Sequence, residues 1–231
     1  MAPLDLDNVL ADFVGLEGGR VDLRDDRLQA KWQVELKPFC LSKYPVTQAL
    51  YHQITGHNPA KFTGAGRPVE HVSWYDAVQF CNQISSHFHL APVYQIGANR
   101  DHVVADAGAN GFRLPTDAEW QFAALGGQTA PLYGPIEEIA WFKQNSGGST
   151  QPVGQKIANA YGLHDMLGNV WEWCFDVYDP EVYGSYRFFR GGGWNDPERG
   201  CLATNRRRSL PTYDIDDLGF RLARNKRQEK D

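Results

Sequence analysis

Residues 162–173 read Gly-Leu-His-Asp-Met-Leu-Gly-Asn-Val-Trp-Glu-Trp. This run gathers two carboxylates, Asp165 and Glu172, with two tryptophans and two glycines. A segment that only filled a core would need no such mixture. A second run, Arg190-Gly191-Gly192-Gly193-Trp194, and a third, Leu218-Gly219-Phe220-Arg221, follow it. Between them, Asn195 to Tyr213 carries Arg206-Arg207-Arg208 in an otherwise acidic protein. Arginine and aromatic side chains are favoured at binding hot spots, so Trp194, Arg207, Arg208 and Tyr213 are candidate anchors. Arg206 is expected to pair internally with Asp216 or Asp217.

Several other chemistries lack their residues. There is no Gly-x-Ser-x-Gly nucleophile turn and no phosphate-cradling loop. Gly191-Gly192-Gly193 has no βαβ context, so it reads as a tight turn that lets the backbone approach Trp194. Cys40, Cys81, Cys174 and Cys201 show no CxxC spacing, which argues against a zinc site and for buried thiols. A Cys174–Cys201 bridge stays open, because connectivity cannot be read from sequence. His52 and His57 are off one helical face, and His87 and His89 alternate; neither pair has an acidic third ligand for iron.

The elements that must hold these residues are short. Strand-like alternation fills Phe13 to Tyr44. Thr47 caps a helix over Gln48–Ile54 that stops at Gly56, and Ser73 caps a second. In the second, Ala77, Phe80, Cys81, Ile84 and Phe88 recur at helical spacing. Thr116-Asp117-Ala118-Glu119 is a capping box that starts a third helix ending at Gly126. The later chain reads as loops and short strands, and Asn225 to Asp231 as a frayed end. The 231 residues, 42% hydrophobic, can bury one sizeable core. We expect residues 1–12 as a lead-in and 13–231 as a single α+β domain. A net charge of −5 speaks against nucleic acid as a partner. No apolar run is long enough for a bilayer, and the acidic N-terminus lacks the regions of a secretory signal. The expectation is a cytoplasmic protein.

From Phe13 to Arg224 the order of motifs resembles the formylglycine-generating-enzyme, or sulfatase-modifying-factor, family. Lys43-Tyr44-Pro45-Val46-Thr47, Arg67-Pro68-Val69-Glu70-His71-Val72-Ser73-Trp74, Phe112-Arg113-Leu114-Pro115-Thr116 and the three runs above carry the likeness. The resemblance implies an irregular α+β fold, a variant of the C-type lectin fold. It also implies a copper site between two cysteines five residues apart after the Arg-Gly-Gly motif. The second position matches Cys201, but the first falls on Asp196. Cu(I) prefers thiolates and a carboxylate suits harder cations, so copper is not expected and Cys201 is left as a residual catalytic candidate. The resemblance further implies Ca²⁺ on the Asp165 and Glu172 side chains and the Gly168 and Val170 carbonyls. Oxygen donors of this kind suit that ion. The competing reading has both carboxylates accepting backbone N–H bonds without metal.

In the family, the Asn195–Tyr213 segment lines the ligand-facing surface. Trp194, Asn195, Asp196, Arg199, Arg207, Arg208 and Tyr213 are therefore the expected binding residues. The function this implies is non-catalytic recognition of a protein partner, an immunity protein against a bacterial toxin being one instance. The alternatives are a metal-dependent oxidoreductase acting on a thiol and a ligand-binding protein of a diversity-generating retroelement. The oligomeric state is not legible.

Overall fold

A computed structural model describes residues 5–98 and 102–226. The chain opens with helix α1 (Leu6–Ala11), then strands β1 (Phe13–Leu16), β2 (Gly19–Asp25), β3 (Ala30–Leu36) and β4 (Phe39–Ser42). Helices α2 (Gln48–Thr55) and α3 (Trp74–His87) precede the small hairpin β5 (Tyr94–Ile96) and β6 (Val103–Ala105). Helices α4 (Asp117–Leu125) and α5 (Ile136–Ile139) lead through a long irregular stretch to β7 (Trp171–Val177). Helix α6 (Pro180–Tyr183), β8 (Arg187–Arg190), β9 (Arg206–Ser209), β10 (Leu218–Gly219) and β11 (Ala223–Asn225) complete it.

Local chemistry explains the helix starts. The Thr47 hydroxyl accepts the Leu50 N–H, and α2 stops at Gly56, whose φ of 80° suits glycine. Ser73 with Asp76, and Thr116 with Glu119, form reciprocal capping boxes. On α3 the residues at helical spacing, Ala77, Phe80, Cys81 and Ile84, are all buried. Leu6, Val9 and Leu10 of α1 pack against the core, so this helix of the expected lead-in docks on the domain. Asn225 was expected in a frayed end, yet it closes β11 against Phe39 of β4. Backbone pairing outweighs the charge of that segment; residues 227–231 lie outside the described range.

Among the described residues the strands form four sheets: β1-β4-β11, β10-β7-β8-β9, and the separate hairpins β2-β3 and β5-β6. Strand β7 is the hub. Trp171 and Trp173 join a core built on α3, whereas Cys174 joins a second core around Trp120 of α4. A strand buried on both faces is largely apolar on both, and the exception here is Glu172. Its tryptophans also need partners for their ring N–H groups; Trp173 donates to the Val72 carbonyl at 3.0 Å. Among the described residues, no helix is long and apolar enough to cross a membrane.

Candidate functional site

The first cluster is the centre of the Asp165–Trp173 run. Glu172 and Arg221 are both fully buried. The two Glu172 oxygens accept Arg221 Nε and Nη2 at 2.6 Å each, and Trp120 Nε1 donates to the same carboxylate at 2.7 Å. Such a pair needs added hydrogen bonds to offset its desolvation. Arg221 finds them on the carbonyls of Ser42 and His164, both 3.0 Å away. Asp165 accepts the Gly154 N–H at 2.7 Å and Asn169 Nδ2 at 3.3 Å. Burial pushes the Asp165 carboxyl above the usual range. Gly168 is held by its neighbours, its N–H on the Gly191 carbonyl at 2.9 Å, and Val170 is buried beside it. Glu172 and Asp165, the two carboxylates expected on calcium, are thus both hydrogen-bonded within the protein. The guanidinium of Arg221 already occupies the position of countercharge, and Asp165 is spent on neutral donors.

The second cluster lies where the glycine run turns into the 195–213 loop. Gly191 and Gly192 have φ of 98° and 84°. A Cβ at Gly192 would stand 2.7 Å from Cys201 Sγ, and one at Gly193 would stand 2.8 Å from Asp217. The glycines thus admit Cys201 and Asp217, not Trp194 as expected. Asp196 is 7% exposed. Its Oδ2 accepts Trp171 Nε1 at 2.6 Å and the Gly193 N–H at 3.0 Å, and its Oδ1 accepts Arg207 at 3.1 Å. The Arg207 guanidinium rests 4.6 Å from the Trp171 ring centroid, with its side chain 55% exposed. Asp196 therefore positions an arginine that stays open to solvent on an aromatic platform.

Trp194 is half-buried; it donates to the Asp216 carbonyl at 2.8 Å and meets Phe62 edge to face. Asn195, Arg199 and Tyr213 are exposed on the same loops. Cys201 is fully buried, and its thiol is pushed up to about 12, by burial first and by the Asp196 charge next. A thiol so disfavoured as thiolate is a poor nucleophile and metal ligand. Cys174 and Cys201 are both free, which removes the bridge. Asp217 is pushed up to about 7 by burial, then by Asp196 and Asp216. The sequence offered Asp217 only as a partner for Arg206, not as a buried acid beside Asp196. The run Asp214-Ile215-Asp216-Asp217 was the available signal.

The three arginines do not act together. Successive side chains on a strand point to opposite faces, and β9 separates them. Arg206 pairs with Asp117 at 2.9 Å rather than with Asp216 or Asp217. Asp216 belongs instead to Lys61, at 2.5 Å. Arg208 lies 4.4 Å from the centroids of both Tyr178 and Tyr183 and donates to the Tyr183 hydroxyl at 2.9 Å. Only Arg207 faces the Trp171 side. Among the described residues, no group of three or more His, Cys, Asp or Glu side chains is placed to hold a metal ion.

Known proteins share this fold. The description "Sulfatase-modifying factor enzyme 1-like domain" matches residues 5–226. The chain is similar to the chaperone protein LppX of Paenibacillus barcinonensis, 37% identical over 79% of this chain and 78% of that one. It is also similar to the inactive C-alpha-formylglycine-generating enzyme 2 of Mus musculus, 30% identical over 78% of this chain and 56% of that protein. Among solved structures, Treponema denticola variable protein 1 superposes with a TM-score of 0.85 at 31% identity, covering 93% of this chain and 95% of that one. With the match running along nearly the whole chain, the protein belongs to the sulfatase-modifying-factor family.

Proposed function

We propose that this protein is a non-catalytic binding module that recognises a protein partner through the surface around Arg207. The observation that carries this reading is the positioning role of Asp196. Its carboxylate holds Arg207 over Trp171. A guanidinium fixed before binding loses little further freedom when a partner arrives. Tyr213 and Leu210, 40% and 47% exposed, offer apolar area on the adjoining loop. In the C-type-lectin reading of the scaffold these loops are the ligand-facing surface. The relative named as a chaperone favours a client protein as the partner over a toxin. The thiol-oxidoreductase alternative has less to support it, because the remaining Cys201 is buried and held as the thiol. The four free cysteines accord with a reducing compartment such as the cytoplasm.

The test is co-purification from the protein's own cells, with Arg207→Ala plus Tyr213→Ala against Arg208→Ala. A stoichiometric partner lost in the first variant and kept in the second supports the reading, since Arg208 lies on the other face of β9. Loss of the partner in both, or in neither, places recognition elsewhere.

A further inference from the structure

The hairpin β2–β3 stands apart from the other sheets, and one of its edges is closed by side chains. Gln121 Nε2 donates to the Asp22 carbonyl at 2.6 Å, and Arg206 donates to the Arg24 carbonyl at 3.0 Å. Both carbonyls point away from β3. In an antiparallel ladder, opposed residues either exchange both backbone bonds or neither. Asp22 opposite Gln33 and Arg24 opposite Lys31 are therefore pairs without mutual bonds. It follows that Lys31, Gln33 and, by the same alternation, Glu35 turn their own N–H and C=O groups outward along the far edge of β3. Among the described strands, β3 pairs only with β2, and Lys31 to Gln33 are all exposed. An open edge with aligned donors and acceptors is a template for another strand.

The side chains of that edge select the occupant. β3 reads Ala30-Lys31-Trp32-Gln33-Val34-Glu35-Leu36. If a second β3 runs antiparallel with Gln33 opposite Gln33, Lys31 meets Glu35 twice on one face. On the other face Trp32 meets Val34 twice. Both kinds of cross-strand pair are favourable. The sequence is thus complementary to itself about a two-fold axis, as an isologous contact requires. Within one copy the charges on this edge are incompletely matched. Glu35 pairs with Arg20 at 3.0 Å, but Lys31 faces the like charge of Arg24 across the hairpin. Among the described residues no ion pair forms at Lys31. A Glu35 from a second copy would supply one. Trp32 and Leu28 are exposed on the apolar face, bordering a groove of about 860 Å³ that also exposes Val177 and Val182. That groove leaves room for side chains of a second copy.

We propose that the protein forms a two-fold dimer in which the β3 strands of two copies pair antiparallel about Gln33, making one four-stranded sheet of β2-β3-β3-β2. This contact is independent of the Arg207 surface.

Sedimentation velocity on the full chain across a roughly hundredfold concentration series tests it. The expected result is a reversible shift from the monomer mass of 26.0 kDa toward twice that value. Gln33→Pro should abolish the shift, because it deletes the central outward N–H. The monomer should keep its fold, since a proline on an edge strand is tolerated where its N–H would face solvent. Lys31→Glu should also give a monomer, by setting Glu against Glu35. Combining Lys31→Glu with Glu35→Lys should restore the dimer; within the hairpin this exchange trades one matched and one like-charge pair for the reverse. Far-ultraviolet circular dichroism of each variant checks that the fold is retained. A monomer at every concentration overturns the proposal. So does a dimer that persists in Gln33→Pro, or a double exchange that fails to recover.

Discussion

The molecule builds the same three-part unit twice and uses it for different ends. In one, Glu172 holds Arg221 and accepts the Trp120 ring N–H; in the other, Asp196 holds Arg207 and accepts the Trp171 ring N–H. The first is sealed between the two cores, with both charges fully buried. The second lies at the rim, its carboxylate buried and its guanidinium more than half exposed. Burial decides the consequence. A sealed pair cannot meet a ligand, and losing one partner strands a charge in a low dielectric. A rim pair adds little to stability, yet presents a fixed cation to whatever approaches. The difference teaches that a carboxylate–arginine–tryptophan set is neither structural nor functional by composition.

The sharpest way to break the comparison is Glu172→Gln. It leaves Arg221 buried without a countercharge and should cost about 3–5 kcal/mol of stability, read as a lowered midpoint in urea. An equal loss from Arg207→Gln would erase the distinction between the two units. Next in size is Asp196→Ala, which orphans the Trp171 and Gly193 N–H groups at once. We expect a loss of about 1–3 kcal/mol by the same measurement, together with a freed Arg207.

At Asp217 the fold favours the protonated form. Its ordinary value is 3.8, raised to about 7 in the protein. Folded and unfolded chains are both protonated there below about 4. As pH rises toward 7 the unfolded chain ionises first, so the stability tied to this group falls over that window. Asp217→Asn should flatten this part of the stability profile. Asp196→Asn should lower the Asp217 midpoint, seen by carboxyl NMR titration, because it removes one of the charges that raise it. The smallest expected effect on folding is that of Arg207→Ala, under about 1 kcal/mol. The same variant should weaken partner binding by about 2 kcal/mol or more, measured by calorimetry once the partner is in hand.

Much of this was legible in the chain. The starts of α2, α3 and α4 followed from Thr47, Ser73 and Thr116, because a cap bonds to a backbone N–H three residues on and needs nothing remote. The departure at Asp196 was equally readable, since it is a matter of residue type beside a motif. The pairing of charges was not. Arg206 bonds Asp117, 89 positions away, instead of the nearby Asp216, and Asp216 goes to Lys61, 155 positions away. Nor could the sequence divide Arg207 from Arg208. Their neighbours depend on which face of β9 packs toward Trp171 and which toward Tyr178, and that is settled by the register of β9 on β8. The partner of Glu172 was hidden for the same reason: Arg221 reaches it across 49 positions. Sequence by itself determined the fold family, the helix caps and the missing thiol, because these rest on short-range bonds and residue chemistry. Tertiary structure decided which carboxylate meets which arginine and how deeply each pair is buried. Long charged side chains find partners in space, and their energy is set by the solvent that packing removes.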